Sequence, residues 1–205
     1  MDLFDKGNYK IPPDNFTTSG EKALDELTKF QEEFGEYDTD TTVNTIRDSI
    51  VARYLGYDLV NFDKHGFDAR KSSDEHYLEV KQCSIHSTSW GGTWNDTNDE
   101  KALAFSDNRL YTAIALWRGA SDLQAIVYGQ NPKLGEYLKR LMDNRPSGSR
   151  STQSISLWKI ITEFGFNIYC PPDKTKEFIV DLFVNKNKRF RSYVNIYTVK
   201  TLQDL

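Results

Sequence analysis

The stretch GFDARKSSDEHYLEVKQ, residues 66–82, decides how the rest of the chain is read. Residues 67–70 and 77–85 have the character of strands, and the polar run Lys71-Ser72-Ser73-Asp74-Glu75 between them predicts a hairpin. Residues two apart in a strand share a side. Glu79 and Lys81 then lie on one face, with Leu78 and Val80 turned to a core. Pairing of the two strands brings Asp68 beside Glu79. Carboxylates that close repel each other, and a divalent cation is the natural relief. Mg²⁺ takes oxygen ligands and keeps several waters, so Asp68, Glu79 and the backbone carbonyl of Val80 suffice as a ligand set. Such an ion polarises a phosphoryl oxygen and acidifies a water. Lys81 adds the positive charge that a pentavalent phosphorus centre requires. The competing reading is a solvated hairpin with an Asp/Glu/Lys network. Three features favour the cation site: Gly66 tightening the turn, apolar neighbours that half-bury the strand, and two helical runs ahead of it.

Those helical runs come after a Pro12-Pro13 arm. Thr18-Ser19-Gly20-Glu21 reads as a capping box, followed by Leu24, Leu27, Phe30 and Phe34 at helical spacing. Thr41 or Thr42 caps a second helix with a stripe of Val43, Ile46, Ile50 and Tyr54, which Gly56 ends. Residues 57–62 alternate as a strand. Residues 86–99 form a long polar segment, of the kind that is usually functional or disordered. Residues 110–117 and 123–128 are strands, Pro132 opens a helix to about Met142, and residues 144–151 form a loop. Residues 155–164 are ambiguous between helix and strand; residues 166–169 are a strand, a helix is expected near residues 175–184, and residues 190–199 are expected to be a strand. Two helices, a run of strands, then mixed elements predict an α+β (mixed α/β) fold with a central mixed sheet flanked by helices. Residues 1–205 read as one domain: an arm and helices to residue 56, a core over 57–170 and an extension over 171–205.

A chain of 205 residues, 38% hydrophobic and 13% aromatic, can bury a core without disulfide or structural metal. Cys83 and Cys170 form no ligand cluster, no secretory signal precedes the arm, and no apolar run approaches the ~20 residues needed to span a bilayer. A cytoplasmic protein is expected. The net charge of −4 is unevenly spread: residues 1–129 hold 13 Lys/Arg against 23 Asp/Glu, residues 130–205 hold 13 against 7. That asymmetry hints at a polyanionic partner.

Gly66-Phe67-Asp68…Tyr77-Leu78-Glu79-Val80-Lys81 resembles the PD-(D/E)XK nuclease signature, and in detail the PvuII-like type II restriction endonucleases. Residues 113–119 resemble that family's central strand and turn, and residues 155–159 and 165–169 its carboxy-terminal strands, so the similarity spans about residues 60–170. It implies a restriction-endonuclease-like core in a homodimeric, Mg²⁺-dependent enzyme that cuts double-stranded DNA and leaves 5′-phosphates. Asp68 and Glu79 would be metal ligands and Lys81 the catalytic lysine. There are departures. Phe67 replaces a proline, His65 stands where the family has an acidic ligand, and the base-reading histidine run after Lys81 is missing. About 35 residues after Tyr169 have no counterpart.

Other residues carry more than one reading. Asp48, on the second helix, is either an accessory acid or a solvated helix charge, and His65 either touches the scissile phosphate or shapes a turn. Asn95, Thr97 and Asn98 suit base edges in a DNA groove and equally suit turns. Arg145 and Arg150 suit phosphate clamping. Lys186, Lys188, Arg189 and Arg191 form the densest basic cluster, fit for positioning a duplex by its phosphates. The first two helices are the expected dimer surface. A junction-resolving or repair nuclease shares the motif, and a non-catalytic DNA-binding module is the alternative outside enzymes.

Overall fold

The computed structural model describes residues 12–34, 41–60, 67–144 and 152–205. Its organising element is the most apolar stretch of the chain, strand β5 (Leu110–Arg118), buried along most of its length on both faces. A strand without a polar face needs layers on both sides, and the remaining elements supply them.

On one side lie helices α1 (Phe16–Phe34) and α2 (Thr41–Tyr54). Leu24, Ile50 and Val51 pack there against Leu78, Val80, Ala113, Ala115 and Trp117 of the sheet. Leu24 and Ile50, at 1% and 4% exposure, are thus consumed inside the chain's own core, and their apolar stripe is no longer an argument for a dimer surface. The capping-box expectation at residues 18–21 is corrected as well. Helix α1 already begins at Phe16, after Pro13 and Asn15, whose carbonyls accept from the amides of Phe16 and Ser19. Helix α2 ends as expected at Gly56, whose φ of +76° allows Tyr57 N–H to reach back to Ala52 O and Gly56 N–H to Arg53 O.

The chain then builds an antiparallel meander of β1 (Asp58–Leu59), β2 (Ala69–Lys71) and β3 (His76–Ser84), the predicted hairpin being β2–β3. Residues 61–66, which include His65 and Gly66, lie outside the described residues. From β3 the chain crosses through β4 (Gly91–Trp94) and α3 (Asp99–Phe105) to β5, which runs parallel to β3. Parallel neighbours require such a crossover. The segment expected to be one long polar loop is therefore structured: β4 pairs with β7 (Gln153–Ser156) in a separate two-stranded sheet, and Trp90 and Trp94 are buried.

Strand β6 (Asp122–Gly129) returns antiparallel to β5 through a turn with Gly119 at φ +68°. Helix α4 (Lys133–Asp143) follows Pro132, and the ambiguous residues 155–164 resolve into the end of β7 and helix α5 (Leu157–Thr162). Strand β8 (Asn167–Cys170) joins β6, and α6 (Lys176–Lys186) leads to a 3-10 turn, Lys188–Ser192. Residues 190–199 do not form the expected strand. Phe190 and Val194 bury themselves from a turn, and only β9 (Val199–Thr201) extends, parallel to β8. The result is an α+β fold whose central mixed sheet has seven strands in the order β1-β2-β3-β5-β6-β8-β9. Its second face is covered by a core that includes Trp90, Trp94, Phe105, Leu138, Ile160 and Phe183. No described helix is long and apolar enough to cross a membrane.

Candidate metal and phosphate site

The register of β2 on β3 pairs Ala69 with Leu78, so Asp68 is next opposite Glu79. Both lie just past the end of the ladder: beyond Leu78, β3 has no β2 partner. At that end the Asp68 backbone N–H donates to Leu78 O at 2.7 Å, and Asp68 Oδ2 accepts the Val80 N–H at 2.7 Å. A side chain thus replaces the missing strand. Because the N–H and C=O of one strand residue point the same way, the Val80 carbonyl also faces this open edge.

Glu79 is 5% exposed, and its Oε1 accepts from Lys81 Nζ. The Lys81 side chain keeps 16% of its surface. Lys81 lies against β4, where a Cβ placed on Gly92 would meet its Cγ at 3.4 Å. Burial drives the Lys81 ammonium toward the neutral form, but Glu79 and Asp68 outweigh it and hold its pKa above the ordinary value. Asp68 is raised well above the carboxylate range, by burial first and then by Glu79 and Asp48, with Lys81 and the Val80 N–H opposing. The site is an excess of acid around one lysine.

Asp48 belongs to the same group of charges. It is half-buried on α2, accepts from Gln82 Nε2, and is pushed up to about 7 by burial, with Glu79 acting in the same direction and Lys81 against it. The solvated-helix reading of Asp48 is thereby set aside. Two residues near the site went unnoticed in the sequence. Gln82 falls by alternation on the apolar face of β3, and a polar residue in that row was the available sign. Lys101, in the first turn of α3, donates from Nζ to Asn95 O at 2.8 Å. Burial lowers its pKa and Lys81 adds to the effect, against the pull of Glu79 and Asp68. A cation in a helix's first turn opposes the helix dipole, which was its only trace.

The remaining predicted residues scatter. Thr97 is buried and donates to Trp94 O at 2.9 Å; Asn98 caps α3 by accepting the Lys101 N–H at 2.8 Å. Both serve the turn chemistry, while Asn95 is exposed. Lys186 is half-buried, donating to Ser87 O with its ammonium 5.2 Å from the Trp90 ring centroid. Lys188, Arg189 and Arg191 are exposed on the 3-10 turn. Arg145 and Arg150, like His65, lie outside the described residues.

Among the described residues no group of three or more His, Cys, Asp or Glu side chains is spaced as a metal cage. Two carboxylates and one carbonyl at an open edge still fit Mg²⁺, which retains waters for the rest of its octahedron. The proton-holding character of Asp68, imposed by burial and two neighbouring acids, is the electrostatic signature of a site short of positive charge. No protein-family model matches the chain, and no curated protein matches it.

Proposed function

We propose that the protein is a Mg²⁺-dependent endonuclease of the type II restriction kind, hydrolysing phosphodiester bonds in double-stranded DNA to give 5′-phosphate ends. The observation that supports this most is the meeting of Asp68, Glu79 and Lys81 where the β2–β3 ladder breaks. The meander, the crossover through α3 and the parallel strand β5 are in keeping with the restriction-endonuclease-like core that the motif implies.

In this reading Asp68, Glu79 and the Val80 carbonyl hold the cation. When bound, it withdraws electron density from phosphorus and makes a nearby water more acidic. Lys81, kept protonated by its acidic neighbours, donates to the phosphoryl oxygen on which charge builds. Water oxygen bonds to phosphorus and releases a proton to solvent as the bond to the 3′-oxygen breaks, and the leaving 3′-oxygen takes up a proton to become a hydroxyl. The exposed Lys188, Arg189 and Arg191, with Arg145 and Arg150, contact phosphates and position the duplex without specifying its sequence. Asn95 is the remaining candidate for base reading. A cytoplasmic homodimer, cutting each strand once, completes the proposal.

Digestion of DNA of known sequence with Mg²⁺, followed by end mapping, tests it. Discrete fragments with 5′-phosphates, absent in EDTA, are expected. Intact DNA across all duplexes tried, with the protein folded and Mg²⁺ present, rejects the reading. Nicks confined to branched junctions would instead identify a junction-resolving nuclease.

A further inference from the structure

Behind the acidic cluster runs a chain of hydrogen bonds with a fixed direction. Trp117, buried on β5, has the Arg47 guanidinium over its ring at 5.0 Å. Arg47 is itself pinned to the β5–β6 turn, donating to Ala120 O at 2.7 Å and to Gly119 O. An indole N–H can only donate. The Gln82 carboxamide must therefore present its oxygen to Trp117, and Trp117 Nε1 donates to Gln82 Oε1. Its nitrogen is left facing the other way, where Gln82 Nε2 donates to Asp48 Oδ1. The chain ends on a carboxylate whose second oxygen accepts no hydrogen bond from a described residue.

We propose that Gln82 is a positioning residue of the cation site, holding Asp48 on the α2 side of β3 as a third carboxylate outside the ligand set. The proposal rests on the cation site of the preceding section. Asp48, Asp68 and Glu79 are not spaced as a cage, so Asp48 acts through its field and by accepting a hydrogen from a water the cation keeps. Mg²⁺ holds such waters, and acceptors around them contribute to affinity. A carboxamide satisfies both partners. It offers an acceptor to a donor-only indole and a donor to an acid; leucine or methionine offers neither, and glutamate would set a second acid against Asp48.

Calorimetric titration with MgCl₂, without DNA, tests this in the wild type, Gln82→Met, Asp48→Asn and the double variant. Gln82→Met keeps the length of the side chain and removes both bonds. It is expected to weaken Mg²⁺ binding about 10-fold, the lower end for residues that orient a metal's surroundings. In the Asp48→Asn background the same change is expected to have almost no effect, because Gln82 acts through Asp48. Wild-type affinity in Gln82→Met, or an equal loss in both backgrounds, overturns the proposal while leaving the cation site standing. A wild type that binds no Mg²⁺ overturns the cation site and this inference with it. If Gln82→Met does not fold, Trp117→Phe, which frees the carboxamide to turn over, is judged by the same pair of backgrounds.

Discussion

Asp68 sets stability against function. Its carboxylate caps the Val80 N–H, a task that asparagine's oxygen performs equally well, yet it sits among other acids with its pKa raised by burial, Glu79 and Asp48. A carboxyl whose folded pKa exceeds its unfolded one stabilises the fold fully below the unfolded pKa and loses that contribution as pH rises. For Asp48 the loss runs from about 4 to about 7; for Asp68 it extends upward from the same lower bound. In EDTA, Asp68→Asn is therefore expected to melt a few degrees above wild type at pH 8 and to approach it near pH 4.5. About 1 kcal/mol moves the midpoint of a domain this size by roughly 2–4 °C. The same variant should lose the Mg²⁺-dependent rise in melting temperature that the wild type is expected to show. Thermal melts across pH, with and without Mg²⁺, check both halves. Lys81→Ala belongs to the same scale: it removes the ammonium that, among the described residues, is hydrogen-bonded to Glu79, so cleavage should fall by at least ~100-fold. Sequence-specific binding, read by gel shift with Ca²⁺, should persist.

At the scale of elements, the site exists because β2 is short and β4 crosses the face of β3. Gly91 marks how tightly β4 is placed: a Cβ there would lie 2.2 Å from Ile155 O on β7. Since backbone must yield, Gly91→Ala is expected to destabilise the protein by about 1–3 kcal/mol in urea unfolding. Helix α3 gives a test of role rather than strength. Asn98 caps it, so Asn98→Ala should lose about 1 kcal/mol of stability. The cleavage sites mapped for that variant should match those of the wild type; a changed preference would make Asn98 a base reader. These elements also show where reading the sequence reached its limit. The hairpin and the strands β5 and β6 were legible because alternation and apolar runs are local signals. The β4–β7 pair was not, since its partners lie some sixty residues apart and four-residue strands carry little periodicity. Residues 190–199 looked extended because β-branched and aromatic residues favour strands. In the fold, Phe190 and Val194 are instead buried from a turn ordered by Asn187 and Asn195.

Over the whole molecule, charge is the property that bears on the proposed DNA partner. No acid occurs between Asp181 and Asp204, while Lys188, Arg189 and Arg191 are exposed within that span. Replacing these three by alanine should weaken binding to all duplexes alike. The slope of log K against log salt should shrink by roughly 2–3, given about 0.9 per phosphate contact. Fluorescence anisotropy at several salt concentrations measures it. A loss confined to one sequence would mean that the segment reads bases.

The sequence by itself determined the α+β class, the β2–β3 hairpin and the trio Asp68, Glu79 and Lys81, because chain connectivity and strand alternation keep those three within one local unit. Only the tertiary structure decided that Asp48 on α2 meets Gln82 on β3, that Thr97 and Asn98 serve a turn, and that β4 lies against Lys81. Each of those contacts depends on where a helix or strand distant in sequence docks. Docking is set by the packing of two apolar layers on a shared sheet, which no local pattern of residues encodes.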